Sequence, residues 1–302
     1  MITQDLLVHG LAADDTVRCV AAITTNLVDE ACQRHRTAPT AAAALGRSLT
    51  GALLMGSGMK DLEKVTVRFR CEGILEGITV EADAYGNVRG YVRNPDAHLG
   101  PKPNGKLDVS GILGGGMMYV IREAGFDIGF RPDPYVGSVP IVSGEIAEDF
   151  AYYLTKSEQV PSAVSLGVYI EPDPYRVTAA GGFFIQLLPG SDPHTIEIIE
   201  EAVRSNPSST ELIKAGLAPG EILDKLIGKL DLKIIGEREV RFHCHCSYER
   251  AVNIISCLGR DEVLDMLEKD KGAVMTCHFC SAVYNLDEAA LQGILGDLEK
   301  VN

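Results

Sequence analysis

The sequence predicts an α+β fold in three parts. These are a β-rich N-terminal core domain with packed helices over residues 1–190, a helical linker over 191–237, and a small cysteine-bearing C-terminal domain over 238–302. Three observations point there. Strand-like and helix-like segments come in separate runs, without the regular alternation of a doubly wound sheet. After Pro189-Gly190 the chain turns to short, charged, amphipathic segments, which are marginal as isolated helices and need a neighbour to dock on. The last segment is too small for a robust core of its own, yet it gathers half of the chain's 8 cysteines into two close pairs.

At 302 residues the chain can hold two or three units around at least one sizeable core. Its net charge of −14 repels phosphate backbones, so no nucleic-acid partner is expected. Met1-Ile2-Thr3-Gln4-Asp5 lacks a basic region and an apolar run, so no export signal is expected. Cysteines in such a chain serve metals or redox chemistry in a reducing compartment, here the cytoplasm. Ala38 to Met59 resembles a membrane span, but Arg47 breaks it and Lys60 and Asp61 follow, leaving too short an apolar run. It reads instead as a buried helix, whose small residues Ala41 to Ala44, Gly46, Gly51 and Ala52 let a sheet approach closely.

In chain order, Asp5 to His9 and Thr16 to Ile23 read as strands about an Ala12-Ala13-Asp14-Asp15 turn. Asn26 to Arg36 reads as a helix stopped near Pro39, and the buried helix follows. Val65 to Cys71 alternates, with Val65, Val67 and Phe69 on one face. Leu75 to Ala82 and Val88 to Val92 continue as strands about a Tyr85-Gly86-Asn87 turn. Gly100 to Gly105 is a loop and Met117 to Arg122 a strand. Gly111-Ile112-Leu113-Gly114-Gly115-Gly116 matches neither a phosphate loop nor a dinucleotide fingerprint, so it reads as a glycine-rich turn and no ATP site is expected.

Ser143 is placed to cap a helix, with Glu145, Glu148 and Asp149 near its N-terminus and Ile146, Phe150 and Leu154 facing inward. Lys156 to Ser162 ends it. Ala163 to Ile170 and Val177 to Leu188 form a hairpin, with a bulge expected at Gly181-Gly182. His9, His35, His98 and His194 are scattered singly and read as surface or satisfied histidines. With no recognisable triad, no catalytic residue is assigned and the protein is not expected to be an enzyme. The linker helices run over Thr195 to Val203, Thr210 to Ala215 and Pro219 to Ile227. In the last part, Ser247 caps a helix to Leu258, Gly259 ends it, and Asp261 to Glu268 forms the next. Val283-Tyr284 is a strand-like return and Leu286 to Leu298 a closing helix.

The chemistry gathers in Cys244-His245-Cys246 and Cys277-His278-Phe279-Cys280. A tetrahedral zinc ion takes four thiolates at about 2.3 Å, and each close pair is a chelating half-site. Each pair is also near enough in sequence to form a disulfide, Cys244 with Cys246 and Cys277 with Cys280. Oxidation would then remove the ligands, release zinc and melt the unit, although most four-cysteine zinc sites are inert scaffolds. A dithiol oxidoreductase using Cys277 and Cys280 leaves the Cys-x-Cys pair unexplained. A zinc-stabilised nucleic-acid module conflicts with the acidic charge, and a zinc deaminase lacks its His-x-Glu signature.

These motifs resemble the 33-kilodalton heat-shock protein family, the redox-regulated bacterial holdase chaperones. The Cys-x-Cys-Ser-x-Glu-Arg run at Cys244 to Arg250 and the Cys-x-Phe-Cys run at Cys277 to Cys280 match its zinc motifs. Arg34-His35 with Ala44-Leu45-Gly46-Arg47 resembles its N-terminal helices. Gly144 to Asp149, Ser157 to Ser162 and Ala180-Gly181-Gly182-Phe183 resemble its middle. The resemblance implies a reduced, inactive form holding one Zn²⁺ on Cys244, Cys246, Cys277 and Cys280. It implies that oxidants form the Cys244–Cys246 and Cys277–Cys280 disulfides, expel zinc and unfold a metastable linker between about Pro193 and Gly236. Homodimers then hold unfolding client proteins without ATP, using the core domain for client binding and dimerisation. Cys257 departs from the motif, and reads as a buried apolar residue or the source of a competing disulfide.

Overall fold

The computed structural model describes residues 4–60, 62–123 and 133–301. Met1 to Thr3, part of the stretch read as lacking an export signal, and Asp61 lie outside them. The chain divides into two compact units, Met1–His243 and Cys244–Asn302.

The first unit opens with strands β1 (Leu6–Ala12) and β2 (Val17–Ile23), then helices α1 (Thr25–His35) and α2 (Pro39–Gly56). Strands β3 (Lys64–Cys71), β4 (Gly77–Asp83) and β5 (Asn87–Val92) follow, then the short helix α3 (Val109–Leu113), β6 (Gly116–Glu123) and β7 (Tyr135–Pro140). Helix α4 (Ala147–Lys156) leads to β8 (Ser162–Pro172) and β9 (Tyr175–Leu187). Helices α5 (Pro193–Ser205), α6 (Ser209–Lys214) and α7 (Pro219–Ile227) come next, then β10 (Lys233–Glu239) and β11 (Arg241–Phe242). One sheet has the order β10-β1-β2-β9-β8, the other β11-β5-β4-β3-β6-β7. All pairings are antiparallel except β11 with β5.

Helix α2 explains why two sheets make one core. A helix with one apolar stripe can cover one layer, but α2 is buried on nearly every side, from Thr40 through Gly56. It packs against β4, β5 and β3 of one sheet and β8 and β9 of the other. Its one cation, Arg47, is answered by Glu145, whose Oε2 accepts from Nη1 at 2.8 Å. Among the described residues no helix is long and apolar enough to cross a membrane.

Phe150 of α4 fits into a notch in α2. Its ring lies 6.2 Å from Phe69 on β3 and 5.9 Å from Phe184 on β9, joining the two sheets. A Cβ on Gly51 would meet that ring at 2.5 Å, so the notch requires glycine. On the other face of the first sheet, α5 to α7 cover an apolar surface. Ile199, Leu212, Ile213, Leu223 and Ile227 pack there with strand residues such as Val8, Ala21 and Phe183.

Several expectations are corrected. Ser143 does not cap α4: the helix starts at Ala147, and the buried Asp149 carboxylate accepts from the amides of Val142, Ser143 and Ile146 at 2.8, 3.0 and 3.1 Å. A carboxylate inside the first turn satisfies more free amides than a serine hydroxyl can. Glu145 accordingly lies outside the helix, with Arg47 and Lys102. Gly181-Gly182 is no bulge. Both pair regularly with β2 and β8, and the irregularity lies between Tyr169 and Ile170. A Cβ on Gly181 would sit 2.4 Å from the Ala22 carbonyl, and one on Gly182 2.2 Å from that of Ser165. These glycines serve close strand approach. Gly111 to Leu113 belong to α3, which Asp108 caps by accepting from the Gly111 amide at 2.9 Å, so the glycine-rich turn is shorter than expected.

Asp5 ties β1 to α1, accepting from the amides of Asn26 and Leu27 at 3.0 and 2.7 Å. Burial pushes its carboxyl up to about 6, against the opposing effect of those amides. The folded chain therefore keeps a proton that the unfolded chain releases near 3.8. The contribution of this group to stability is complete below that pH and is lost as pH rises through about 6. Urea titrations of wild type and Asp5→Asn from pH 4 to 7 should diverge by about 2–3 kcal/mol in this sense. Parallel pH profiles would contradict the assignment.

Candidate metal centre

The second unit contains α8 (Tyr248–Ser256), α9 (Arg260–Lys269), the hairpin β12 (Gly272–Thr276) and β13 (Val283–Asp287), and α10 (Glu288–Val301). Its core is small: the buried side chains Ala251, Ile255, Val263, Leu286, Leu291 and Ile294, with partly buried neighbours around them. That is little apolar surface to fix three helices and a hairpin.

Two loops meet at one end. Cys244 and Cys246 enter just before α8, whose start is fixed by Ser247, as expected. Its hydroxyl accepts from the Arg250 amide at 3.2 Å. Cys277 and Cys280 occupy the turn joining β12 to β13. That turn is closed by the Cys277 amide on the Ala282 carbonyl at 2.9 Å and the Ser281 amide on the Cys277 carbonyl at 2.8 Å. Ser281 takes a positive φ of 57°, which completes the reversal.

The four sulfurs lie within 4.8 Å of one another. Cys244 and Cys277 Sγ are 3.7 Å apart, and Cys246 and Cys280 Sγ 3.3 Å. Sulfurs around a tetrahedral zinc with bonds of about 2.3 Å stand roughly 3.8 Å from each other, so the cluster has the right size and donor type. The sequence named these four, and the fold brings all four together. Neither His245 nor His278 belongs to the cluster.

The surroundings separate these thiols from the rest. Burial pushes Cys19, Cys32 and Cys71 up to about 12, which makes them inert packing residues at neutral pH. At Cys246 burial also opposes ionisation, but hydrogen bonds from Tyr284 and the other three cysteines outweigh it and bring the thiol down to about 7. Burial raises Cys277 and Cys280, against amide donors from Phe279 and Cys280 to the first and Ala282 to the second. Neighbouring thiolates repel, which opposes ionisation of all four sulfurs together. A bound divalent cation would supply the positive charge that lets all four sulfurs ionise together.

Sequence reading missed the part of Tyr284. Its hydroxyl donates to Cys246 Sγ at 3.0 Å. The clue was available in the alternation along β13, where Tyr284 shares the inward face with buried Leu286. Cys257 is corrected: it is exposed, at the C-terminal end of α8, and is not a buried apolar residue. Gly259, expected to end that helix, stands as the N-cap of α9 with φ 93°.

A sequence model of the family described as "Hsp33 protein" matches residues 5–287. The 33 kDa chaperonin of Desulforamulus reducens is 44% identical over 297 residues, covering 98% of this chain and 99% of that protein. That of Staphylococcus carnosus is 43% identical over 298 residues, with the same coverage. The crystal structure of the 33 kDa chaperonin (heat shock protein 33 homolog) from Thermotoga maritima gives a TM-score of 0.87 at 32% identity, over 99% of both chains.

Proposed function

The chain belongs to the Hsp33 family of chaperones, and on that premise we propose that it is a redox-regulated, ATP-independent holdase. The observation that carries the redox part is the four-thiol cluster on two loops of a unit with a meagre core. In the reduced form Cys244, Cys246, Cys277 and Cys280 hold one Zn²⁺, which links the two loops and supplies folding free energy to residues 244–302.

A hydroperoxide or hypochlorous acid oxidises the sulfurs, and disulfides form between Cys244 and Cys246 and between Cys277 and Cys280. In the folded cluster two close contacts join different pairs, Cys244 Sγ with Cys277 Sγ at 3.7 Å and Cys246 Sγ with Cys280 Sγ at 3.3 Å. Once the loops part, however, the sequence neighbours remain together, because closing a short loop costs least entropy. The chain loses its four donors and with them the metal, and the unit melts.

Helices α5 to α7, within the stretch from about Pro193 to Gly236, then undock. They are short and depend on the face they cover. Release exposes that apolar face, on which homodimers hold unfolded segments of client proteins in the cytoplasm. Holding clients lowers the free concentration of aggregating chains by mass action. Neither nucleic acid nor a membrane has a part in this.

Light scattering from a thermally unfolding client tests it. The peroxide-treated protein is expected to suppress scattering at equimolar ratio without nucleotide, while the reduced, zinc-loaded protein is not. Equal suppression by both forms would overturn the redox part of the reading.

A further inference from the structure

We infer that Tyr284 is a positioning residue of the redox switch, whose hydroxyl shields the Cys246 sulfur from electrophilic oxidants in the reduced protein. The inference rests on the redox reading above. It starts from the hairpin register. Tyr284 pairs with Met275, one strand end away from the Cys277–Cys280 turn, so its place is set by the ladder that carries the other half-site. Tyr284 faces the same way as buried Leu286 and packs against the small core of its unit. The ring is thereby held, and the hydroxyl ends 3.0 Å from Cys246 Sγ. A residue from one half of the cluster thus reaches across to a sulfur of the other.

Oxidation begins when a sulfur lone pair attacks one oxygen of a hydroperoxide. The O–O bond breaks, the sulfur is oxidised to a sulfenic acid, and the departing oxygen takes a proton and leaves as water or alcohol. A neighbouring thiolate then attacks the sulfenic sulfur and expels hydroxide, which is protonated to water, leaving a disulfide. A hydrogen bond donated to the sulfur draws on the electron density that the first attack uses. Cys277 and Cys280 receive such bonds from backbone amides of their own turn, and those vanish only if the turn opens. Cys246 receives its bonds from side chains, the Tyr284 hydroxyl and, for as long as they keep their protons, the neighbouring thiols. Its reactivity can therefore change without any change in the backbone.

The test uses full-length, reduced, zinc-loaded protein, wild type and Tyr284→Phe. Zinc release on adding hydrogen peroxide or N-ethylmaleimide is followed with a chromogenic chelator, and early alkylation is mapped by mass spectrometry. The variant is expected to keep one zinc per chain and to release it about threefold to tenfold faster, the range that loss of one hydrogen bond gives. Cys246 should rise among the first sulfurs labelled. In the cobalt-substituted variant the sulfur-to-metal charge-transfer band should move to lower energy.

Unchanged rates and labelling would overturn the inference, as would faster labelling spread evenly over all four cysteines, which would mean general loosening. A variant that fails to hold zinc would also overturn it, since the hydroxyl would then be needed for assembly. Failure of the redox reading looks different: wild type would release zinc on oxidation without gaining the ability to suppress aggregation, whatever the Tyr284 comparison gives.

Discussion

Replacing Cys280 by serine is expected to cost the protein its metal and the fold of residues 244–302. Cys280 is the most buried of the four, at 4% exposure, and its sulfur lies 3.3 Å from that of Cys246. A serine hydroxyl at that place is a hard, protonated donor, unsuited to a soft four-sulfur site. Structural zinc contributes an apparent 10–16 kcal/mol to small folded units, and the six buried side chains here cannot make up that loss.

Zinc content of the reduced variant should therefore fall below about one-tenth of an equivalent after dialysis against a weak chelator, given that magnitude. Amides of α8 to α10 should then exchange at rates near those of an unfolded chain. The control is Cys257→Ser. That cysteine is exposed and outside the cluster, so its zinc content and protection should match wild type. Full zinc and protected amides in Cys280→Ser would show that the unit does not depend on the four-sulfur site.

The second large effect belongs to the first unit. Phe150→Ala should destabilise it by about 3–5 kcal/mol, the range for a fully buried phenylalanine. The ring has no exposed surface, and it stands against an aromatic ring of each sheet, Phe69 and Phe184. The Gly51 notch leaves α2 without a Cβ to move into the space, so the cavity stays open. Phe150→Leu should cost clearly less. Urea unfolding followed by tyrosine fluorescence checks this. A loss below about 1 kcal/mol would mean that the core collapses around the cavity.

Much of this was legible before the fold was known. Alternation placed β3 because Val65, Val67 and Phe69 do face inward. The burial of α2 followed from its run of alanines and glycines, although Arg47 made it look like an interrupted span. The four cysteines were legible because spacing alone makes two chelates of them.

Features that depend on distant partners were not legible. Strand β10 carries exposed Ile234 and Ile235 and has no clean alternation; pairing with β1 decides it. Strand β7 has only two buried positions and is held by β6. Gly181 and Gly182 looked like a bulge because the carbonyls that exclude a side chain there belong to other strands. Asp149 replaced Ser143 as the helix-start acceptor because the chain before α4 folds back over the helix end, a turn that local spacing does not reveal. Tyr284 was hidden for the same reason: its partner sulfur lies 38 residues away.

The central claim is that the cysteine cluster is a switch and not a scaffold. The most direct measurement follows zinc release and hydrogen exchange on one reduced sample, before and after peroxide at heat-shock temperature. About one zinc is expected to leave per chain, protection to be lost across 244–302 and across α5 to α7 in step with it, and dithiol with zinc to restore both. Zinc released while α5 to α7 keep their protection, or zinc retained throughout, would contradict it.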